Sequence, residues 1–226
     1  MSSRSRLTIP LLLFLSSFVF VTQALPDDNV STVIQGIRDR YGDAAGITAE
    51  YTREAISKTM AMLGAADRQD IAQGRLYFKP PHSLRLEQIT PQEELLLTDG
   101  QTLWWYLPLK KEAYKYPAAE FGHELRLLSD ILMGIRDTRD NFQITLKPHS
   151  ETNTYHLLLN PDPPWIDIDH LEVIVLREDF AIKQVEIHNK VGGLSRFILS
   201  GWQERDHFNE GFFCFSPPQG TKVVYK

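Results

Sequence analysis

Apolar residues recur along this chain with two different periods. Val30, Val33, Ile34, Ile37 and Tyr41 fall at i, i+3, i+4, i+7 and i+11, the spacing that gathers them on one stripe of an α-helix. Asp27 to Asn29 offer side-chain oxygens for an N-cap, and Gly42 stands where a C′ glycine ends a helix. The segment therefore predicts an amphipathic helix with one buried face. From Ile47 onward the texture changes to short apolar runs split by turn residues: Leu76 and Phe78, Leu84 and Leu86, Leu95 to Leu97, Leu103 to Leu107, Ile144 and Leu146, Tyr155 to Leu159, Leu171 to Leu176, Ile182 to Ile187, Phe197 to Leu199, and Phe212 to Phe215. About ten strands at this spacing predict a large antiparallel meander. Over Ala55 to Asp70 the pattern is weaker and fits either a long hairpin tip or a partly helical stretch around Met60 to Leu63.

A second helical stripe interrupts the strands. Phe121, Leu125, Leu128, Leu132 and Ile135 are spaced for one helix face, Leu127, Ile131 and Met133 widen it, and His123, Glu124, Arg126 and Asp130 stand opposite. A helix inserted in a meander must cover something. Leu95-Leu96-Leu97 and Leu103-Trp104-Trp105-Tyr106-Leu107 are apolar at consecutive positions, whereas a sheet with one wet face alternates. Two arrangements satisfy this pattern. Either the helices plug a curved sheet and form a solid core, or sheet and helices enclose an apolar cavity.

At 226 residues the chain fits one or two domains. Arg4 and Arg6 precede an apolar run from Leu11 to Val21, and Thr22-Gln23-Ala24 places a small residue at a cleavage point, the layout of a secretory signal peptide. Cleavage after Ala24 would leave residues 25–226 as a single domain. The run is too short for the roughly 20 residues that span a bilayer, and no Cys near the cleavage point could carry a lipid anchor. The formal charge is -5, and losing Arg4 and Arg6 makes it more acidic. Such a surface repels phosphate backbones, so nucleic acid and anionic membranes are excluded as expected partners. Cys214 is alone, so no internal disulfide can form. Its place between Phe213 and Phe215 in an expected strand predicts buried filler.

Candidate chemistry is sparse. The seven His are scattered without a His-x-x-x-His pair, and there is neither a Gly-x-Ser-x-Gly elbow nor a phosphate-binding Gly-x-x-x-x-Gly-Lys-Ser/Thr loop. Asp167-Ile168-Asp169-His170 is the best metal-like cluster, yet it lacks a second ligand group and reads as a solvated turn. No catalytic residue, metal or cofactor is expected. Trp104, Trp105 and Tyr106 fit either a stacking platform or core, and Lys110-Lys111-Glu112 the solvated continuation of their hairpin.

Three motifs in order carry a resemblance. Gly74-Arg75-Leu76-Tyr77-Phe78-Lys79-Pro80-Pro81 is followed by Thr98-Asp99-Gly100-Gln101-Thr102-Leu103-Trp104-Trp105-Tyr106 and then by Phe212-Phe213-Cys214-Phe215-Ser216-Pro217-Pro218-Gln219-Gly220. From about Asn29 to the C-terminus the chain resembles the periplasmic outer-membrane lipoprotein carrier family, LolA. The resemblance implies an incomplete antiparallel β-barrel covered by a helical lid, with an apolar interior that takes acyl chains. Each buried CH2 is worth about 0.8 kcal/mol, so two or three chains bind a lipoprotein to its membrane almost irreversibly. A carrier must take them over directly, without exposing them to water.

By the same resemblance, Phe78, Leu84, Leu86, Leu96, Trp104, Tyr106, Phe121, Leu125, Leu128 and Leu132 would form cavity and lid. The partners would be lipidated proteins, an inner-membrane ABC-type exporter as donor and an outer-membrane lipoprotein as acceptor, and the protein would work as a monomer in the periplasm. The alternatives are a lipid carrier or lipoprotein sensor of the same fold, and a secreted lipid hydrolase, which the missing nucleophile motif argues against. One departure stands out. The family's latch Arg, directly before the Pro that ends the second strand, is Pro80 here, without guanidinium or backbone donor. Lys79, Arg85 and Arg126 are the candidate substitutes.

Overall fold

The computed structural model describes residues 29–57, 70–118, 123–134, 141–148 and 152–226. The expected leader, the stretch around Met60 to Leu63, Phe121 and Ile135 lie outside the described residues. The first helix, α1 (Val30–Tyr41), starts where Thr32 N donates to Asn29 Oδ1 at 2.8 Å and buries Val33, Ile34, Ile37 and Tyr41. Gly42 closes it from the right-handed region, with φ -68° and its N–H on Arg38 O at 2.7 Å, rather than from the left-handed C′ conformation.

Among the described residues twelve strands form one sheet: β1 (Ile47–Ile56), β2 (Asp70–Lys79), β3 (Ser83–Thr90), β4 (Glu94–Thr98), β5 (Thr102–Leu107), β6 (Glu112–Pro117), β7 (Phe142–Leu146), β8 (Thr154–Pro161), β9 (Ile168–Leu176), β10 (Ile182–Asn189), β11 (Leu194–Glu204) and β12 (Lys222–Tyr225). Their spatial order is β12-β6-β5-β4-β3-β2-β1-β11-β10-β9-β8-β7. Neighbours are antiparallel except β12, which runs parallel to β6. Alternate residues of the strands from β1 to β11, together with α1 and a second helix, α2 (His123–Leu132), form one continuous buried cluster. The sheet thus curls around its helices as an open half-barrel, with β12 and β7 as its edge strands among the described residues.

Two glycines are required by geometry. In β2, at a register shift between Gln73 and Gly74, a Cβ on Gly74 would lie 2.0 Å from the Glu87 carbonyl oxygen, so only a bare backbone allows β2 and β3 to approach. Gly134 ends α2 at φ +71°, where a Cβ would meet Arg38 Cβ at 2.9 Å and α2 crosses α1.

The expected strand at Phe212 to Phe215 does not form. That segment is turn and coil, and Cys214 is exposed rather than buried filler. Phe212 packs 5.1 Å from Tyr77, while Phe215 lies 5.2 Å from both Trp104 and Tyr106, ring centre to ring centre. The tail therefore crosses the convex side of β2 to β5 before β12 joins the β6 edge. This second cover explains why β4 and β5 are apolar on both faces. Leu97 and Ala113, 1% and 0% exposed, are buried under it, outside the central core. The other half of the convex side is polar: Arg196 joins Glu186 (2.7 Å) to Glu54 (2.8 Å) across three strands. Hydrogen bonds from His188 and then Arg196 outweigh burial and hold the Glu186 carboxyl down at about 2.

Candidate functional site

The concave side is assembled by strand register. Residues directly opposite in an antiparallel pair share a face, and two rows run across β2 to β6 here. One is Phe78, Leu84, Thr98, Leu103 and Tyr116; the other is Leu76, Leu86, Leu96, Trp105 and Tyr114. Against them lie Leu125, Leu128 and Leu132 of α2, at 5%, 1% and 1% exposure, in the same cluster as Phe78, Leu84 and Leu86. Six expected site residues are thus brought together, and Leu96 packs against them half-buried.

The two helices are held differently. Near the C-terminus of α1, Ile182 N donates to the Tyr41 hydroxyl at 3.0 Å, Arg40 pairs with Asp179 at 3.0 Å, and the Trp202 ring lies 4.9 Å from Tyr41. Burial pushes the Tyr41 phenol pKa up. By contrast α2 touches α1 and β3, and among the described residues no backbone hydrogen bond ties it to the sheet. Its buried Ser129 hydroxyl turns back onto Leu125 O at 3.0 Å. Its inner face is seated by apolar packing.

Beside α2 a cavity of about 190 Å³ is lined by His82, Thr98, Gly100, Ala118, Arg126 and Ser129, at the junction of helix and hairpin turns. Of the three cations considered for a latch, Arg126 stands there. Arg85 is occupied on the other face, where it pairs with Glu87 at 2.7 Å and donates to Phe212 O at 2.9 Å. Lys79 is exposed.

Trp104 and Tyr106 are not brought to the concave side. They follow Leu103 in a strand, so alternation turns them outward, where Phe215 covers them and Lys115 Nζ sits 5.3 Å from the Trp104 ring centre. Their place is taken by Trp105, which the sequence offered only as one of three adjacent aromatics. Trp105 Nε1 donates to Glu94 Oε2 at 2.9 Å, its ring lies 5.5 Å from Tyr114, and Tyr114 stacks on Tyr116 at 6.4 Å. These half-buried rings make an aromatic shelf on the concave side near the β6 edge. The one available signal was parity with Leu103 and Leu107.

The architecture is an open antiparallel half-barrel whose apolar concave side is roofed by two helices. Residues 47–216 match the family model "Outer membrane lipoprotein carrier protein LolA", and the chain belongs to that family. It is 24% identical over 230 residues to the outer-membrane lipoprotein carrier protein of Psychromonas ingrahamii, covering 96% of this chain and 97% of that one. It is also 24% identical over 215 residues to that of Azotobacter vinelandii, covering 94% and 96%. Among solved structures, an uncharacterized conserved protein from Thermus thermophilus shares the fold with a TM-score of 0.54 and 11% identity, over 87% of this chain and 98% of that one.

Proposed function

We propose that this protein is a non-enzymatic periplasmic carrier that shields the acyl chains of lipoproteins between its concave sheet and α2, and moves them from inner to outer membrane. The observation that carries this reading is the aliphatic face of α2 laid on the concave sheet: Leu125, Leu128 and Leu132 share one buried cluster with Phe78, Leu84 and Leu86, while α1 is anchored to the far half of the sheet at Tyr41 and Arg40. Lifting such a roof exposes apolar area that acyl chains can cover in its place, an exchange of like for like. Phe78, Leu84, Leu86, Leu96, Leu125, Leu128 and Leu132 would contact the chains, and the shelf of Trp105, Tyr114 and Tyr116 would line their way in. Phe121 joins this set as part of the lid.

An inner-membrane exporter would donate the cargo and an outer-membrane lipoprotein accept it. The name shared by the relatives supports the role. A leader cleaved after Ala24 would deliver residues 25–226, as one domain, to that compartment. With Pro80 unable to act as a latch, Arg126 at the rim takes over that task.

The test is uptake of a fluorescent diacylated peptide by the purified protein, with mass spectrometry of what it carries out of the periplasm. Leu128→Asp should abolish uptake while far-UV circular dichroism keeps the β signal, because the sheet does not depend on α2 for its hydrogen bonds. Undiminished uptake by a folded Leu128→Asp protein would sink the reading. Recovery of free lipid in place of lipoprotein would favour the lipid-carrier alternative.

A further inference from the structure

The half of the convex side that the C-terminal tail leaves uncovered carries a row of titratable side chains that the carrier role does not use. Leu171 and Val173 of β9, and Val185 and Ile187 of β10, point into the core. Their strand neighbours His170, Glu172, Glu186 and His188 therefore project outward. Register places His170 directly opposite His188 and Glu172 directly opposite Glu186. The two imidazoles stack with ring centres 4.2 Å apart, and ligand atoms of His170, Glu172 and His188 all lie within 4.8 Å of one another. This is the second ligand group that Asp167 to His170 lack in sequence: it comes from the next strand.

From this arrangement we propose that His170, Glu172 and His188 form a binding site for a divalent transition-metal ion of the zinc class, between β9 and β10. Two imidazoles and a carboxylate make a donor set that such ions accept, with ligand bonds of about 2.0–2.2 Å and a fourth position open to water. Closing the cluster onto an ion asks for ring rotations and small shifts, within the reach of half-buried side chains on fixed strands.

The surroundings fit a metal site. Histidine ligands commonly give their second ring nitrogen to a carboxylate, which fixes the tautomer. Asp169 Oδ2 lies 2.8 Å from His170 Nδ1, leaving His170 Nε2 3.4 Å from Glu172 Oε1. Glu186 Oε2 lies 2.9 Å from His188 Nε2, and His156 Nε2 lies 2.6 Å from the second oxygen of Glu172. Each ligand thus has an orienting partner of its own. Charge favours the same occupant: two carboxylates at facing positions repel unless a cation intervenes. Lys147 now fills that role for Glu172 and Arg196 for Glu186. A divalent ion would displace Lys147, whose side chain is 38% exposed and free to swing into water.

The experiment titrates Zn2+ alone into the untagged mature chain by calorimetry near pH 7.5, with Co2+ absorption as an independent report of ligation. Expected is one saturable equivalent, lost in His170→Gln and in His188→Gln, weakened roughly 10- to 100-fold in Asp169→Asn, and unchanged in His207→Gln. Binding should also weaken in acid, where protons compete with the ion for the ligand atoms. No saturable equivalent in the wild type, or binding that survives both His170→Gln and His188→Gln, overturns the site. Should either variant misfold, imidazole NMR resonances of the wild type decide. Those of His170 and His188 must shift together with Zn2+ in a 1:1 titration, and independent or absent shifts refute the proposal.

Discussion

Arg85 donates from Nη1 to the backbone carbonyl of Phe212 at 2.9 Å, and its guanidinium lies 4.7 Å from the centre of the same ring, although 127 residues separate the two in sequence. This contact fastens the C-terminal tail to the convex side. A hydrogen bond from a charged group is worth about 1.5–3 kcal/mol, less where water screens it. Arg85→Ala should therefore cost about 1–2 kcal/mol in urea unfolding and speed tryptic cleavage at Arg205, while acyl-probe uptake stays at the wild-type level. Unchanged cleavage would mean that the tail is held by its aromatic contacts alone.

Neighbouring tryptophans separate the two sides of the sheet. Trp104 is clamped between Lys115 and Phe215, whereas Trp105 belongs to the concave shelf. Trp104→Ala should lower stability by about 2–4 kcal/mol, as aromatic truncations do, with little effect on uptake by the remaining folded protein. Trp105→Ala should weaken probe uptake several-fold at a smaller cost in stability. Matching uptake losses in the two variants would contradict the assignment of faces.

Gly74→Ala should be severely destabilising, by more than about 2 kcal/mol, because its Cβ would overlap a backbone carbonyl that cannot rotate away. Poor soluble yield and a lowered midpoint in thermal unfolding are the expected readouts. Gly220→Ala makes the control: Gly220, unlike Gly74, has a positive φ (+82°) that strains an alanine, but nothing lies within 4 Å of the added carbon. It should cost far less.

Tyr51 makes alkaline pH a probe of the core. Burial, the main cause, pushes its phenol up to about 12, with Glu94 adding to the shift and Arg53 opposing it. An unfolded tyrosine titrates near 10. Between those values the folded state holds a proton that the unfolded state has released, so stability is full below about pH 10 and falls as the pH rises toward about 12. The loss amounts to about 2–3 kcal/mol. Tyr51→Phe should remove this slope and raise the alkaline unfolding midpoint; an identical midpoint would show that the phenol is solvated. Tyr41, also raised by burial, adds a slope of the same sign that remains in the variant.

Both helices and most strands were legible along the chain because each has a period that local geometry imposes. Val30 to Tyr41 repeat as a helix must, Leu125 to Leu132 likewise, and runs such as Leu171 to Leu176 have strand length and composition. The glycine of the aromatic strand β2, which the structure places inside the strand rather than before it, and the Asp99-Gly100 turn were visible for the same reason. So was the apolar character of both faces of β4 and β5.

What covers each of those faces lay beyond reach. Periodicity says that Leu103 and Trp104 point in opposite directions, but not which direction is inward; this was settled by the curl of the sheet and by a tail more than 100 residues downstream. The Phe212 to Phe215 run has the composition of a strand, yet it lies across the convex side as turn and coil and serves there as an apolar cover. Likewise His170 and His188 are 18 residues apart and share no motif. They become neighbours because β9 and β10 pair in one register, and a shift of a single residue would have sent one of the two rings into the core. Local preference is written residue by residue, whereas register, sheet curvature and the path of the tail depend on contacts among all twelve strands at once.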